Sequence, residues 1–196
     1  MTRKTKWRGW SFVGAAALAS TLAVSSLQAQ ANPIAFGVLA GASVPLGDFG
    51  DFAKTGWHAG GLVQWNGPAI PLGIRGEVVY HSFGSEQTVG GEDVDFNLIT
   101  ATVNGVFMFP MTEPATVRPY IIGGGGWYRE DCSDCGASSD AENKGGINVG
   151  AGIQVPLSGF TSLLEARWHM IFDSEDTIAD DSNTTFISIS AGLLFR

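Results

Sequence analysis

The 196-residue chain carries 27 glycines, 15% charged residues and a formal charge of −8. Glycine at that level beside 44% apolar residues excludes a helical bundle and a disordered chain, which needs low hydrophobicity and high charge. The acidic balance excludes nucleic acid as a partner, and the lack of a second long apolar run excludes a bundle of membrane-spanning helices.

The N-terminus reads as a leader. Arg3, Lys4, Lys6 and Arg8 precede an uncharged stretch that lasts until Asp48, and residues 10–24 within it are largely apolar. Ala29 and Ala31 stand at the −3 and −1 positions of a cleavage site before Asn32. That order is the signature of a secretory signal peptide, so 1–31 is expected to be removed and 32–196 to form the mature domain. All four leader charges are basic, which leaves seven Lys and Arg against nineteen Asp and Glu, a formal −12. Export places Cys132 and Cys135 in an oxidising compartment. One such pair supplies two metal ligands and lacks the βαβ context of a redox motif; a disulfide clipping a loop is expected.

Eight segments of period-two alternation follow, at about 34–45, 57–66, 71–82, 96–109, 117–129, 146–156, 162–173 and 184–195. In the second, Trp57, Ala59, Gly61, Val63 and Trp65 alternate with His58, Gly60, Leu62, Gln64 and Asn66; in the eighth, Ile187, Ile189, Ala191, Leu193 and Phe195 alternate with Ser188, Ser190 and Gly192. One face is apolar and the other small or polar. The connections alternate as well. Those at 66–70, 110–116 and 156–161 are Pro- and Gly-marked turns whose one charge is Glu113, whereas those at 46–56, 83–95, 130–145 and 173–183 hold sixteen of the nineteen acids. Short turns on one rim and long polar loops on the other is the asymmetry of an outer-membrane barrel. The fold class expected is therefore all-β, an eight-stranded antiparallel up-and-down transmembrane barrel.

A soluble lipocalin-like barrel competes, with its apolar face inside and its polar face in water. Charge decides against it. Within the strands, charges come as opposite-sign neighbours on the non-apolar face, Arg75 with Glu77 and Glu165 with Arg167, and the two mature lysines, Lys54 and Lys144, fall in the loops. A wetted surface carries many more. Outward aromatics also form two belts: Trp57, Tyr80, Trp127 and Phe172 toward the long loops, Phe36, Trp65, Phe109 and Phe195 toward the short turns. Trp57 and Trp65 are separated by roughly 20 Å along the membrane normal at ~3.3 Å per residue and a tilt of about 40°, which suits an apolar band about 25 Å tall.

These residues resemble the small outer-membrane β-barrels, the OmpA/OmpX-like and opacity-type surface proteins. The resemblance spans 32–196. It rests on Arg118-Pro119-Tyr120-Ile121-Ile122 followed by Gly123 to Gly126, on Asn148-Val149-Gly150-Ala151-Gly152-Ile153, on Leu164-Glu165-Ala166-Arg167, and on the closing Ser190-Ala191-Gly192-Leu193-Leu194-Phe195. One departure is that members usually finish on the aromatic residue, whereas Arg196 follows Phe195. The resemblance implies residence in the outer membrane, with lipid and lipopolysaccharide as surroundings and a monomer as the favoured state.

An eight-stranded lumen admits side chains or one small ligand. Arg75, Glu77, Arg118, Glu165 and Arg167 lie just past the short-turn rim on alternate strands, so their inward side chains are expected to converge, with Asn104, Tyr120, Asn148 and Gln154 nearby. A paired network that plugs the lumen is favoured over a narrow pore, because opposite charges at one level fill space and favour no ion. Some barrels of this class modify lipid A, which needs a nucleophile and a base facing lipid. His58, His81 and His169 all face inward by parity, and His81-Ser82, the one adjacent His/Ser pair, splits across two faces. No catalytic residue, cofactor or metal site is expected. Asp173, Glu175, Asp176, Asp180 and Asp181 match no defined Ca²⁺ loop; a solvated acidic surface is expected, with recognition of a surface ligand or divalent bridging to lipopolysaccharide left open.

Overall fold

Strict alternation means that a strand with one lipid-facing face sends every second side chain inward, and this holds around the whole wall. The computed structural model describes residues 33–67, 70–84, 88–89, 92–93, 96–111, 116–132, 142–172 and 183–196. The barrel strands are β1 (Ile34–Leu46), β2 (Gly56–Asn66), β3 (Leu72–Phe83), β4 (Phe96–Met108), β5 (Arg118–Cys132), β6 (Glu142–Leu157), β7 (Phe160–Ile171) and β8 (Thr184–Phe195). Each pairs antiparallel with its sequence neighbours, and β1 closes on β8 with Phe36 opposite Phe195 and Leu46 opposite Thr185. The eight-stranded up-and-down barrel expected from the alternation is the observed fold.

The belts fall outside as parity requires. Phe36, Trp57, Trp65, Tyr80, Trp127 and Phe195 are exposed on the wall. Trp57 leans on Tyr80 at 5.6 Å between ring centroids, and the Tyr80 hydroxyl donates to Asn97 Oδ1 at 2.7 Å. Aromatic rings with a polar tip at this level suit a headgroup interface.

Three details differ from the sequence expectation. A short helix α1 (Asp48–Phe52) stands in the first long connection, too short for helical periodicity to register. A two-stranded ribbon pairs residues 88–89 with 92–93. The hairpin of β5 and β6 runs further than alternation suggested, to Cys132 and from Glu142, so Lys144 sits within a strand, where it pairs with Glu130 at 3.0 Å and Glu142 at 3.5 Å. At the other rim, β6 and β7 join through Ser158-Gly159, with Leu157 paired to Phe160. Gly159 takes φ of 92°, a left-handed turn conformation that costs glycine nothing sterically.

Inside, the lumen is layered in steps of two residues. Ala35, Leu39, Leu62, Val79, Leu163 and Leu194 form one apolar group, and Val106, Tyr120 and Ile122 another on β4 and β5. Toward the long loops, Phe83, Leu98, Tyr128, Ile171 and Phe186 fill the bore. Phe49 of α1 caps them edge-on, 5.3 Å from Phe83 and 5.5 Å from Phe96. Polar side chains occupy the level between.

Candidate functional site in the barrel lumen

Around a closed ring of eight, β3 and β7 lie four strands apart in either direction. They face each other across the lumen and run the same way. Along β3 the order toward the long loops is Arg75 then Glu77; along β7 it is Glu165 then Arg167. Reversed order on parallel strands sets opposite charges against each other at both levels. Arg75 Nη1 reaches Glu165 Oε2 at 2.7 Å, and Arg167 holds Glu77 with both terminal nitrogens, at 2.5 and 3.1 Å. The diagonals close as well: Arg75 Nη1 lies 3.4 Å from Glu77 Oε1, and Arg167 Nη2 donates to Glu165 Oε1. The result is a charge-neutral strut spanning the bore.

Neighbouring strands complete it. Tyr120 donates to Glu165 Oε2 at 2.7 Å, and the Arg75 guanidinium carbon sits 5.2 Å from the Tyr120 ring centre. Arg75 Nε donates to Gln64 Oε1 at 2.9 Å, and Asn104 Nδ2 approaches Glu77 Oε2 at 3.4 Å. All four charged residues are buried, Arg75 completely. Ions in such a place persist through mutual pairing and hydrogen bonds, since removal from water is severely unfavourable.

Of the residues the sequence pointed to, Arg75, Glu77, Glu165 and Arg167 come together, with Asn104 and Tyr120 beside them. Asn148 and Gln154 are buried but make no hydrogen bond to the quartet among the described residues. Arg118 does not join. It is the first residue of β5 and is exposed. The register pairs it with Gln154, and Gln154 with Leu163, two residues short of Glu165. That places it about 7 Å too close to the rim at ~3.3 Å per residue. Its inward parity was right and its depth was not. Cys135, the side chain of Cys132, and the acids at 173, 175, 176, 180 and 181 lie outside the described residues.

One layer toward the long loops, a set of contacts appears that sequence reasoning missed. Ser43 Oγ lies 3.0 Å from His58 Nδ1 and 2.9 Å from His81 Nδ1. His58 Nε2 reaches Ser190 Oγ at 2.8 Å, while His169 meets Ser188 at 3.1 Å and the Tyr128 hydroxyl at 3.1 Å. A hydroxyl has one proton, so Ser43 can donate to only one of the two imidazoles and at least one of them donates its Nδ1–H to Ser43. Adjacency in sequence was the wrong test: these partners come from β1, β2, β3, β5, β7 and β8 and meet through register. A serine beside a histidine is the pairing that nucleophilic catalysis uses, but this one is buried, and the space beside it, lined by the three histidines with Glu77, Glu165 and Arg167, is about 10 Å³, the threshold for a single water.

A closed antiparallel barrel with an apolar outer wall, aromatic belts and a polar, ion-paired interior defines an integral outer-membrane protein. The family described as the outer membrane protein beta-barrel domain matches residues 15–195, and the chain belongs to it; its place is the outer membrane. Among solved structures the chain is similar to Neisserial surface protein A, at 14% identity over 84% of this chain and 97% of that one, with a TM-score of 0.63. It also matches Ail of Yersinia pestis, solved with the heparin analogue sucrose octasulfate (21% identity, 83% and 96% coverage, TM-score 0.48), and the N-terminal β-barrel domain of Pseudomonas aeruginosa OprF (13%, 82% and 97%, 0.44). No curated protein matches the sequence.

Proposed function

We propose that this barrel is non-enzymatic and non-conducting, with a structural or surface-interaction role carried by its acidic extracellular loops. The strut between β3 and β7 is the observation that supports this. It fills the bore with paired charges, and the layer above leaves about 10 Å³, too little for a column of water. The serine–histidine contacts serve as packing, because no substrate reaches buried Ser43 or His58. The sixteen acids on the long-loop connections give that rim a field that selects cationic or divalent-bridged partners.

Planar-bilayer recording tests the closed lumen. The wild-type protein is expected to show no steady conductance, and lipid A from overexpressing cells to keep its mass. A steady conductance that shifts with Arg75→Ala or Glu165→Ala replaces this reading with a narrow pore. An altered lipid A mass that reverts with His58→Ala replaces it with an enzyme.

We further propose that the leader is cleaved after Ala31. Intact mass of the protein purified from outer membranes is expected to begin at Asn32; a mass that includes residues 1–31 overturns the cleavage.

A further inference from the structure

The short-turn rim gathers two features that the lumen network leaves unexplained: Arg118, which stays outside the quartet, and Arg196, which follows the closing aromatic. Both line one pocket of about 240 Å³ together with Asn66, Gly67, Pro71 and Met108. Its described lining contains no acidic side chain. Arg118 and Arg196 have no ion-pair partner among the described residues, and both contribute to the lining of this one small volume.

The hydrogen bonds leading to this pocket have a fixed direction. Arg75 Nε can only donate, so it is Gln64 Oε1 that stands at 2.9 Å from it. Gln64 Nε2 is then free to donate to Asn66 Oδ1, at 2.7 Å. What remains at the end of the chain is Asn66 Nδ2, a buried donor with no partner. Gln154, opposite Arg118 in the register and 1% exposed, carries a second unpartnered amide, Nε2. Buried N–H groups without acceptors are rare and costly. Asn66 Nδ2 belongs to the lining of the pocket itself, and Gln154 stands beside it as the register partner of Arg118. Both unpartnered atoms are donors.

We propose that this pocket is an oxyanion site at the periplasmic mouth of the barrel and takes a phosphate group. Guanidinium forks bind phosphate oxygens in pairs with charge assistance. A tetrahedral phosphate offers oxygens in several directions, toward both arginines and the Asn66 amide at once, whereas the two oxygens of a carboxylate share one plane. Short turns face the periplasm in this class of barrel. The phosphate therefore comes from one of two sources there, dissolved phosphate or a phospholipid headgroup of the inner leaflet. Ile70 and Leu72, also on the pocket wall, are exposed and carry its edge to the lipid side. The site does not depend on closure of the lumen, and the conductance experiment leaves it untouched.

The test uses the full mature protein in lipid nanodiscs, in two arms. In neutral phosphatidylcholine discs, inorganic phosphate is titrated by calorimetry. In discs containing phosphatidylglycerol, the headgroup is followed by phosphorus NMR. Saturable binding is expected in at least one arm, and the arm identifies the source. Arg118→Gln and Arg196→Gln are each expected to weaken it about tenfold, the loss of one charge-assisted contact, while Arg118→Lys retains part of it. Heat-modifiable gel mobility verifies that each variant is folded. No saturable signal in either arm, or unchanged binding in the folded double variant, overturns the proposal.

Discussion

Arg167→Met is expected to lower the unfolding free energy by about 3–5 kcal/mol, because it leaves two carboxylates sharing one arginine, a net buried negative charge inside the lumen. Arg167 is the sole bidentate ligand of Glu77 among the described residues and also contacts Glu165, and the other arginine, Arg75, cannot replace it: its single bond to Glu77 is already long at 3.4 Å. Adding Glu77→Met removes the stranded charge. The double variant is then expected to be more stable than the sum of the two single effects by about 0.5–3 kcal/mol, the range for directly coupled residues. Urea titration of protein folded in lipid vesicles measures all three. If Arg167→Met costs less than about 1 kcal/mol, as a surface pair does, the lumen is wet and the strut is not a structural member.

The second large effect concerns glycine. Gly124 of β5 faces inward, and a Cβ built there lies 2.1 Å from the Val103 carbonyl oxygen and 2.6 Å from Asn104 Oδ1. The Asn104 amide can turn aside, but the Val103 carbonyl and Asn104 Cα, at 2.7 Å, belong to the backbone of β4, which has nowhere to retreat. Gly124→Ala is expected to cost about 1–3 kcal/mol, as overpacking does, and to reduce the yield of heat-modifiable protein. Gly76 of β3 gives the contrast, since nothing lies within 4 Å of a Cβ at that position. Gly76→Ala is expected to be neutral or to stabilise by about 0.4–1 kcal/mol through the unfolded chain. Equal losses at both positions, in the same titration, would mean that close strand approach is not what demands glycine at position 124.

These contrasts mark what was legible in the sequence. Period-two alternation assigns a face to every residue, so the belts, the inward histidines and the four ion-paired residues followed from parity alone. Arg75-x-Glu77 and Glu165-x-Arg167 announced each other because a neutral set of inward charges has to be satisfied internally. Depth was harder. Arg118 has the right parity but opens its strand, and its level depends on a stagger between strands that alternation does not encode. The serine–histidine contacts failed for the same reason: register brings Gly41 opposite both His58 and Ser190, and only with that pairing known does Ser43 fall between two imidazoles. Helix α1 is a single turn carrying two acids and two phenylalanines, a pattern with no helical period to detect. Phe49 reaches the bore because the chain folds inward there, which is a tertiary effect.

The reversed order of charges on β3 and β7 has a bearing on how the barrel is assembled. The four ions meet only when the two strands stand diametrically opposite and at equal height, which requires both the correct number of strands between them and the correct stagger. A ring closed with a slipped register would turn charges toward acyl chains or leave them facing like charges, at a cost of several kcal/mol for each stranded ion. Side chains far from the β1–β8 seam thus report whether the seam has been joined correctly. The lumen is a checksum on closure, written in four residues.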